Sequence, residues 1–231
     1  MTMQTGLGCG VLLLLFSSCS PPRIRTLKID APASALRREG DPLAVGRLFR
    51  NSDYQCTAFH VGNGIVLTAG HCVPYECHVD GAAPASPLWI KWSAPEGATA
   101  PRSDVTKVLS CVRSYSLDYA VLKVTDPPKE WLSLEPDGLI PQSAKVPLYM
   151  LTYVDPDTLS IVDECGSKNF AGSHLVKQYN FVHSCTVSSG SSGSPILLES
   201  SKRVVGIHQG GDGDEVGSRV KQSSLSGVTL P

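Results

Sequence analysis

Residues 65–72 read IVLTAGHC, an apolar strand that ends in small residues and then delivers His71 and Cys72 side by side. Two kinds of chemistry fit such an ending. With Cys77 and His78 the pair makes HC-x4-CH, a cluster of zinc-ligand types. Alternatively, Cys72 is bridged to another cysteine and His71 stands beside a backbone that the bridge has fixed, free to act as a base.

The cysteine usage favours bridges. Residues 1–19 contain no acid or base, and the apolar run at 11–16, VLLLLF, is far shorter than the roughly 20 residues of a membrane-spanning helix. It reads as the apolar core of a secretory signal peptide covering 1–19. The FSSC that closes it resembles the lipobox of bacterial lipoproteins, which implies lipid attachment at Cys19; ordinary cleavage near Ser20 is the alternative. Past Cys19 the chain holds Cys56, Cys72, Cys77, Cys111, Cys165 and Cys185, an even set that an oxidising compartment turns into disulfides. No metal is expected.

The 231 residues are 42% hydrophobic and 18% charged with a formal net charge of -1, which excludes a nucleic-acid binder held by charge. The 21 glycines and 17 prolines are scattered between short apolar runs, the punctuation of an all-β sandwich or barrel. Residues 20–40, rich in Pro, Ala and Arg and without a period, read as a linker or a propeptide, with Arg37-Arg38 a place to cut one. The folded domain is expected over 41–231. Strand-like runs fall at 44–49, 56–60, 64–68, 88–92, 105–110, 120–124, 146–153, 181–187, 195–198 and 204–208, and turn chemistry such as GNG at 62–64 and EPDG at 135–138 separates them.

LTAGHC resembles the histidine segment of the trypsin/chymotrypsin-like serine proteases, and Cys56 with Cys72 resembles the disulfide that family places around its catalytic histidine. A hydrolase of this kind needs a carboxylate to orient the imidazole and a serine for the imidazole to deprotonate. Asp118 opens the apolar run of SLDYAVLKV (116–124), which is similar to the family's aspartate segment, and an acid at the head of a buried strand wants an N–H partner. Asp104 in RSDVTKV lacks the matching residues after it.

The serine is to be found in SSGSSGSP, residues 188–195. Its composition alone is that of a flexible linker, yet strand-like HSCTV and PILLES flank it. It is similar to the family's G-x-S-G-[GS]-P in one register, which makes Ser192 the implied nucleophile. The backbone N–H groups of Gly190 and Ser192 are then the implied oxyanion hole. VVGIHQGG (204–211) resembles the strand that lines the family's specificity pocket and pairs with substrate backbone. Together with GSSGSP it is nearest to the bacterial, glutamyl endopeptidase-like branch.

The resemblance implies a substrate pocket at Thr186, Val187, His208, Gln209 and Gly210. Thr186 stands where trypsins carry the acid that binds Lys or Arg, so a cationic substrate side chain would lie unpaired. His208 matches the histidine that glutamyl endopeptidases set against the substrate carboxylate. Cleavage after Glu and cleavage after small or apolar residues both remain open. Ser191 replaces the aspartate that pairs with a freed N-terminus in trypsins, and no IVGG-like start precedes the domain, so a trypsin-type activation switch is not expected. A Cys165–Cys185 bridge would brace the wall before Ser192 and leave Cys77 with Cys111, although spacing does not fix the connectivity of six cysteines.

The implied fold is all-β, with two packed six-stranded antiparallel barrels and the catalytic cleft between them, the first barrel supplying His71 and Asp118 and the second Ser192. The implied activity is serine endopeptidase, acting through an acyl-enzyme without a cofactor on a protein or peptide substrate. An exported monomer is expected, without nucleic acid and touching a membrane only through Cys19. A catalytically silent binding module on the same scaffold and an esterase using the same nucleophile are the alternatives.

Overall fold

A computed structural model describes residues 23–27, 42–77, 81–114, 117–136, 145–154, 157–168, 180–185, 187, 189–210 and 215–219. The signal peptide, Cys19, Arg37-Arg38, His78 and Thr186 of the sequence reading lie outside these residues.

Among the described residues thirteen strands carry nearly all the regular structure. In chain order they are β1 (Arg23–Thr26), β2 (Val45–Arg50), β3 (Asp53–His60), β4 (Ile65–Thr68), β5 (Leu88–Trp92), β6 (Arg102–Ser114) and β7 (Leu117–Val124), followed by β8 (Pro147–Tyr153), β9 (Leu159–Gly166), β10 (Asn180–His183), β11 (Pro195–Leu198), β12 (Val204–Gly210) and β13 (Glu215–Arg219). No helix among the described residues is long and apolar enough to cross a membrane.

The first six-stranded barrel is closed in the order β2-β3-β4-β7-β6-β5. Strand periodicity explains its core: LWIKW of β5 sends Leu88, Ile90 and Trp92 inward and leaves Trp89 and Lys91 at the surface. Those three pack with Leu48, Phe59, Leu67 and Leu122. GNG forms the tight turn into β4, with Asn63 at φ 52 and the Ile65 N–H donating to the Gly62 carbonyl at 2.8 Å.

The second half differs in detail from a plain six-stranded barrel. It is a seven-stranded sheet in the order β1-β9-β8-β11-β12-β13-β10. An isolated antiparallel bridge between Ser167 and His183, with Lys168 N–H donating to Val182 C=O and Ser184 N–H to Gly166 C=O, brings the end of β9 back to β10. Six strands thus close on themselves. β1 is the additional strand, and it occupies the part of the β9 edge, Ser160 to Asp163, that β10 does not reach.

Each of the ten strand-like runs overlaps a strand, though in 181–187 the strand covers only 181–183; β1, β9 and β13 were not anticipated. β1 falls in the segment read as linker or propeptide, because RIRT has too little apolar character to announce a strand. It is held by register to β9 and by ion pairs from Arg25 to Asp163 and Arg23 to Glu164. β9 ends in polar DECG, and the Glu164 backbone sits at φ 57, which hides its alternation.

The two halves are pinned along the crossing segment. Leu132 N–H donates to the His60 carbonyl, Val204 N–H to Ser133 C=O and Glu135 N–H to Val204 C=O. His60 itself accepts the Gly64 N–H on Nε2 at 3.1 Å, so its Nδ1 carries the proton toward the Glu130 carbonyl at 2.7 Å. Its role is structural.

In the second barrel Phe181 lies over two glycines: a Cβ on Gly206 would stand 2.5 Å from the Phe181 ring, and one on Gly217 would stand 2.7 Å from it. Gly217→Ala should therefore cost about 1–3 kcal/mol by overpacking. In a Phe181→Leu background the same change should cost less, a coupling that denaturant unfolding of the four proteins in the cycle measures. Equal costs in the two backgrounds would contradict this packing.

Candidate active site

β4 ends at Thr68, and the chain turns through Ala69 into a single 3-10 turn, Gly70–Cys72, that presents His71. Glycine is required at the turn's start: a Cβ on Gly70 would lie 2.2 Å from the Val112 carbonyl and 2.9 Å from Asp118 Oδ1. Cys72 is bonded to Cys56 of β3, with Cα atoms 6.0 Å apart, so the turn is stapled to the neighbouring strand. By the chain-entropy model a loop of that size contributes about 3 kcal/mol. Behind the turn, Arg50 grips both carboxylate oxygens of buried Glu76 at 2.8 and 2.6 Å.

Asp118 heads β7, which pairs with β4 so that Thr68 faces Ala120. Its carboxylate is buried and both oxygens go to one residue: Oδ1 accepts the His71 backbone N–H at 2.8 Å and Oδ2 accepts Nδ1–H of the His71 ring at 2.5 Å. The proton on Nδ1 leaves Nε2 as a base. The Asp118 N–H donates to the Ser218 hydroxyl of β13 at 3.0 Å, and the Gln209 side-chain amide donates to the same hydroxyl. The second barrel therefore braces the acid of the first.

Cys56, His71 and Cys72 bring three ligand-type atoms within 4.8 Å of one another. Both sulfurs belong to the disulfide, so neither is a thiolate and the group does not form a metal site. The other pairs are Cys77–Cys111, with Cα atoms 4.8 Å apart, and Cys165–Cys185, 5.0 Å apart. All six cysteines are thus used as the sequence reading had it.

The serine loop separates its three residues sharply. Ser191 is fully buried, Ser194 is fully buried with its hydroxyl on Thr152 Oγ1 at 2.7 Å, and only Ser192 of the three is part-exposed. A hydrogen bond from Ser194 N–H to Ser191 C=O closes a turn with φ +84 at Gly193, the pattern of a type II turn whose outer corner is Ser192. A Cβ on Gly193 would stand 2.1 Å from the Thr57 carbonyl and 2.3 Å from Thr68 Oγ1, so the loop presses directly against the strands that carry His71. The Thr57 N–H donates to the Ser192 carbonyl and the Gly193 N–H to the His208 carbonyl. Gly190 has φ +95, and neither its N–H nor that of Ser192 donates to an acceptor among the described residues.

The Ser192 hydroxyl, however, donates to the Gln209 carbonyl at 3.4 Å; among the described residues its partner is not the His71 ring. The serine–histidine contact implied by the resemblance is not made in this resting geometry.

Of the implied pocket residues, Val187 packs against the core of the second barrel and Gly210 sits at φ +100 in the β12–β13 bulge. His208 is buried against His183, Nδ1 to Nε2 at 3.3 Å. The Cys185 N–H donates to His183 Nδ1, so the neutral His183 ring carries its proton on Nε2, facing His208 Nδ1, and the Val216 backbone is a further hydrogen-bond partner of the ring. Burial lowers the pKa of both rings, to about 4 for His208, where His71 adds a smaller effect, and well below the ordinary value for His183. His183, Ser218 and Tyr54, whose hydroxyl bonds the Gly190 carbonyl, went unrecognised in the sequence because no motif contains them.

Two outcomes follow. Gly70→Ala should displace the His71–Asp118 clasp and slow labelling of Ser192 by a fluorophosphonate by about 10²-fold, the cost of misplacing a reacting group by about 1 Å; an unaltered rate would refute the close fit. For pH, a histidine whose folded pKa is depressed stays neutral while the unfolded chain takes up a proton below its ordinary pKa of 6.5. Stability is then lost as pH falls from 6.5 to about 4, with a slope of up to about 1.4 kcal/mol per pH unit for each such residue. Urea unfolding of His208→Gln should show a shallower loss over that window than the parent chain.

The chain matches the model of the trypsin-like peptidase domain over residues 56–207. No curated protein matches it significantly. Among solved structures it is similar to the Vibrio cholerae VesB protease, at 18% identity and TM-score 0.60, over 85% of this chain and 64% of that one. It is also similar to a Glu endopeptidase in complex with MPD, at 14% identity and TM-score 0.59, covering 88% and 93% of the two chains. The inactive form of the Rv3671c protease matches at 15% identity and TM-score 0.56, over 83% and 90%. These likenesses share the fold, and the match over residues 56–207 runs from the first bridged cysteine into β12: the chain belongs to the trypsin-like peptidase family.

Proposed function

We propose that the protein is a serine endopeptidase in which Ser192 attacks the scissile carbonyl, His71 serves as base and then acid, and Asp118 holds the imidazole. The observation that carries this reading is the double clasp of Asp118 on His71, at 2.8 and 2.5 Å, facing a loop in which Ser192 alone of the three serines 191, 192 and 194 is part-exposed. Nδ1 is committed to the carboxylate, so Nε2 is the ring atom that takes a proton.

In the first half-reaction the Ser192 hydroxyl turns from the Gln209 carbonyl toward Nε2, its proton passes to His71 and its oxygen bonds the substrate carbonyl carbon. The negative charge that develops on the carbonyl oxygen is met by the Gly190 and Ser192 N–H groups. His71 then gives the proton to the departing amine, and water, deprotonated by the same ring, releases the acyl group. Asp118 stays ionised and stabilises the imidazolium in each transfer.

The substrate is a peptide whose side chain is neutral or acidic rather than cationic. The buried polar groups of the pocket wall are the neutral His183–His208 pair, and the sequence places Thr186 where a cation would need an acid. The protein acts outside the cytoplasm, consistent with three disulfides, and carries a lipid on Cys19 as its one link to a membrane.

Fluorophosphonate labelling decides the nucleophile. Wild type and Ser191→Ala should label, and Ser192→Ala should not. Silence in wild type would instead support a non-catalytic binding module, and loss confined to Ser191→Ala would move the nucleophile by one residue. Digestion of a peptide library should then give few or no cuts after Lys or Arg.

A further inference from the structure

In trypsins an aspartate before the nucleophile pairs with a new N-terminus and so orders the oxyanion loop; here that position is Ser191, which is fully buried with a hydroxyl that finds no hydrogen-bond partner among the described residues. Something else must hold the loop. The Gly190 carbonyl accepts two hydroxyl protons from the first barrel, from Tyr54 Oη at 2.7 Å and from Thr57 Oγ1 at 3.1 Å. The Tyr54 ring also covers the Gly190 Cα: a Cβ there would stand 2.9 Å from Tyr54 Cε1 and 3.0 Å from its hydroxyl. Two residues further along, the Thr57 N–H holds the Ser192 carbonyl.

We propose that Tyr54 is a positioning residue for the oxyanion hole, an inference that rests on the serine-hydrolase reading. The 190–191 peptide is clamped through its carbonyl, and glycine at φ +95 is the pivot between that peptide and the one whose N–H points at the developing oxyanion. Releasing the clamp lets the pivot rotate and turns the Gly190 N–H away from the site. A preorganised donor then has to be reoriented in each reaction cycle, a cost that falls on the transition state and not on ground-state binding. Tyr54 is itself seated from outside by Phe49, with ring centroids 5.8 Å apart, and Phe49 stacks on Trp89 at 4.2 Å. The loop is therefore ordered from the first barrel and requires no freed N-terminus.

The test compares wild type, Tyr54→Phe, Tyr54→Leu and Ser192→Ala in their reaction with a fluorophosphonate probe, whose phosphoryl oxygen occupies the same position as the substrate oxyanion. Tyr54→Phe should lower the maximal labelling rate about tenfold, less than the roughly 10²- to 10³-fold of deleting a donor outright. Apparent probe affinity, the pH at half-maximal rate and the thermal midpoint should stay those of wild type. Tyr54→Leu, which also uncovers Gly190, should lower the rate further. A purely structural role would shift the thermal midpoint or the labelled fraction while the rate of the labelled fraction stayed constant, and would overturn the proposal. Unchanged rates in both variants would overturn it as well, with the hydrolase reading intact. Absence of labelling in wild type would remove both.

Discussion

The structure turns on the clasp between one carboxylate and one histidine. Asp118 is buried at the head of β7, and an ionised carboxylate there is tolerated only with its acceptor sites filled. It fills them with a backbone N–H and a ring N–H of His71, so the same contact fixes the main chain and the side-chain tautomer. Much of the local design serves that geometry. Gly70 has no side chain because the Val112 carbonyl and Asp118 occupy the space, and the Cys56–Cys72 bridge ties the other end of the turn to β3. A neutral partner at position 118 would leave the ring free to take the other tautomer and place its proton on Nε2.

β3 then links the halves of the cleft. Along its length Tyr54 and Thr57 hold the Gly190 carbonyl, and the Thr57 amide holds the Ser192 carbonyl. Its Cys56 anchors the histidine turn between them. From the other side Ser218 of β13 supports Asp118. Each barrel therefore positions a group that belongs to the other's share of the site, and the distance between His71 and Ser192 is set by strand registers rather than by a flexible hinge.

What the sequence made legible follows from how local each signal is. LTAGHC, SLDYAVLKV and GSSGSP are short and contiguous, so their resemblance to the family's three segments implied His71, Asp118 and the part-exposed Ser192, where composition alone made the last a linker. Tyr54, His183 and Ser218 act through partners 136, 25 and 100 residues away, and nothing in their neighbours marks them. The same holds for β9 and β13. Their strand character comes from pairing, in β9 with β8 and β1 and in β13 with β12 and β10, whereas DECG and EVGSR are polar enough to pass for loops. The orientation of the Ser192 hydroxyl toward Gln209 is a rotamer choice, a property of the folded site alone.

β1 shows how composition misleads in the opposite direction. RIRT, between prolines and a long Ala-Arg segment, has the makeup of a tether, and its ion pairs with Asp163 and Glu164 are at least partly exposed, where such pairs contribute little. Its pairing with β9 has a different basis. β10 returns to β9 only near Ser167, which leaves Ser160 to Asp163 with an open edge in a strand buried on both faces, Ile161 in one core cluster and Val162 in the other. An unpaired edge of that kind is a template for association with other chains. β1 covers it with backbone hydrogen bonds and turns an exposed, charged outer face to solvent, so a segment with the composition of a tether guards the edge of the second sheet.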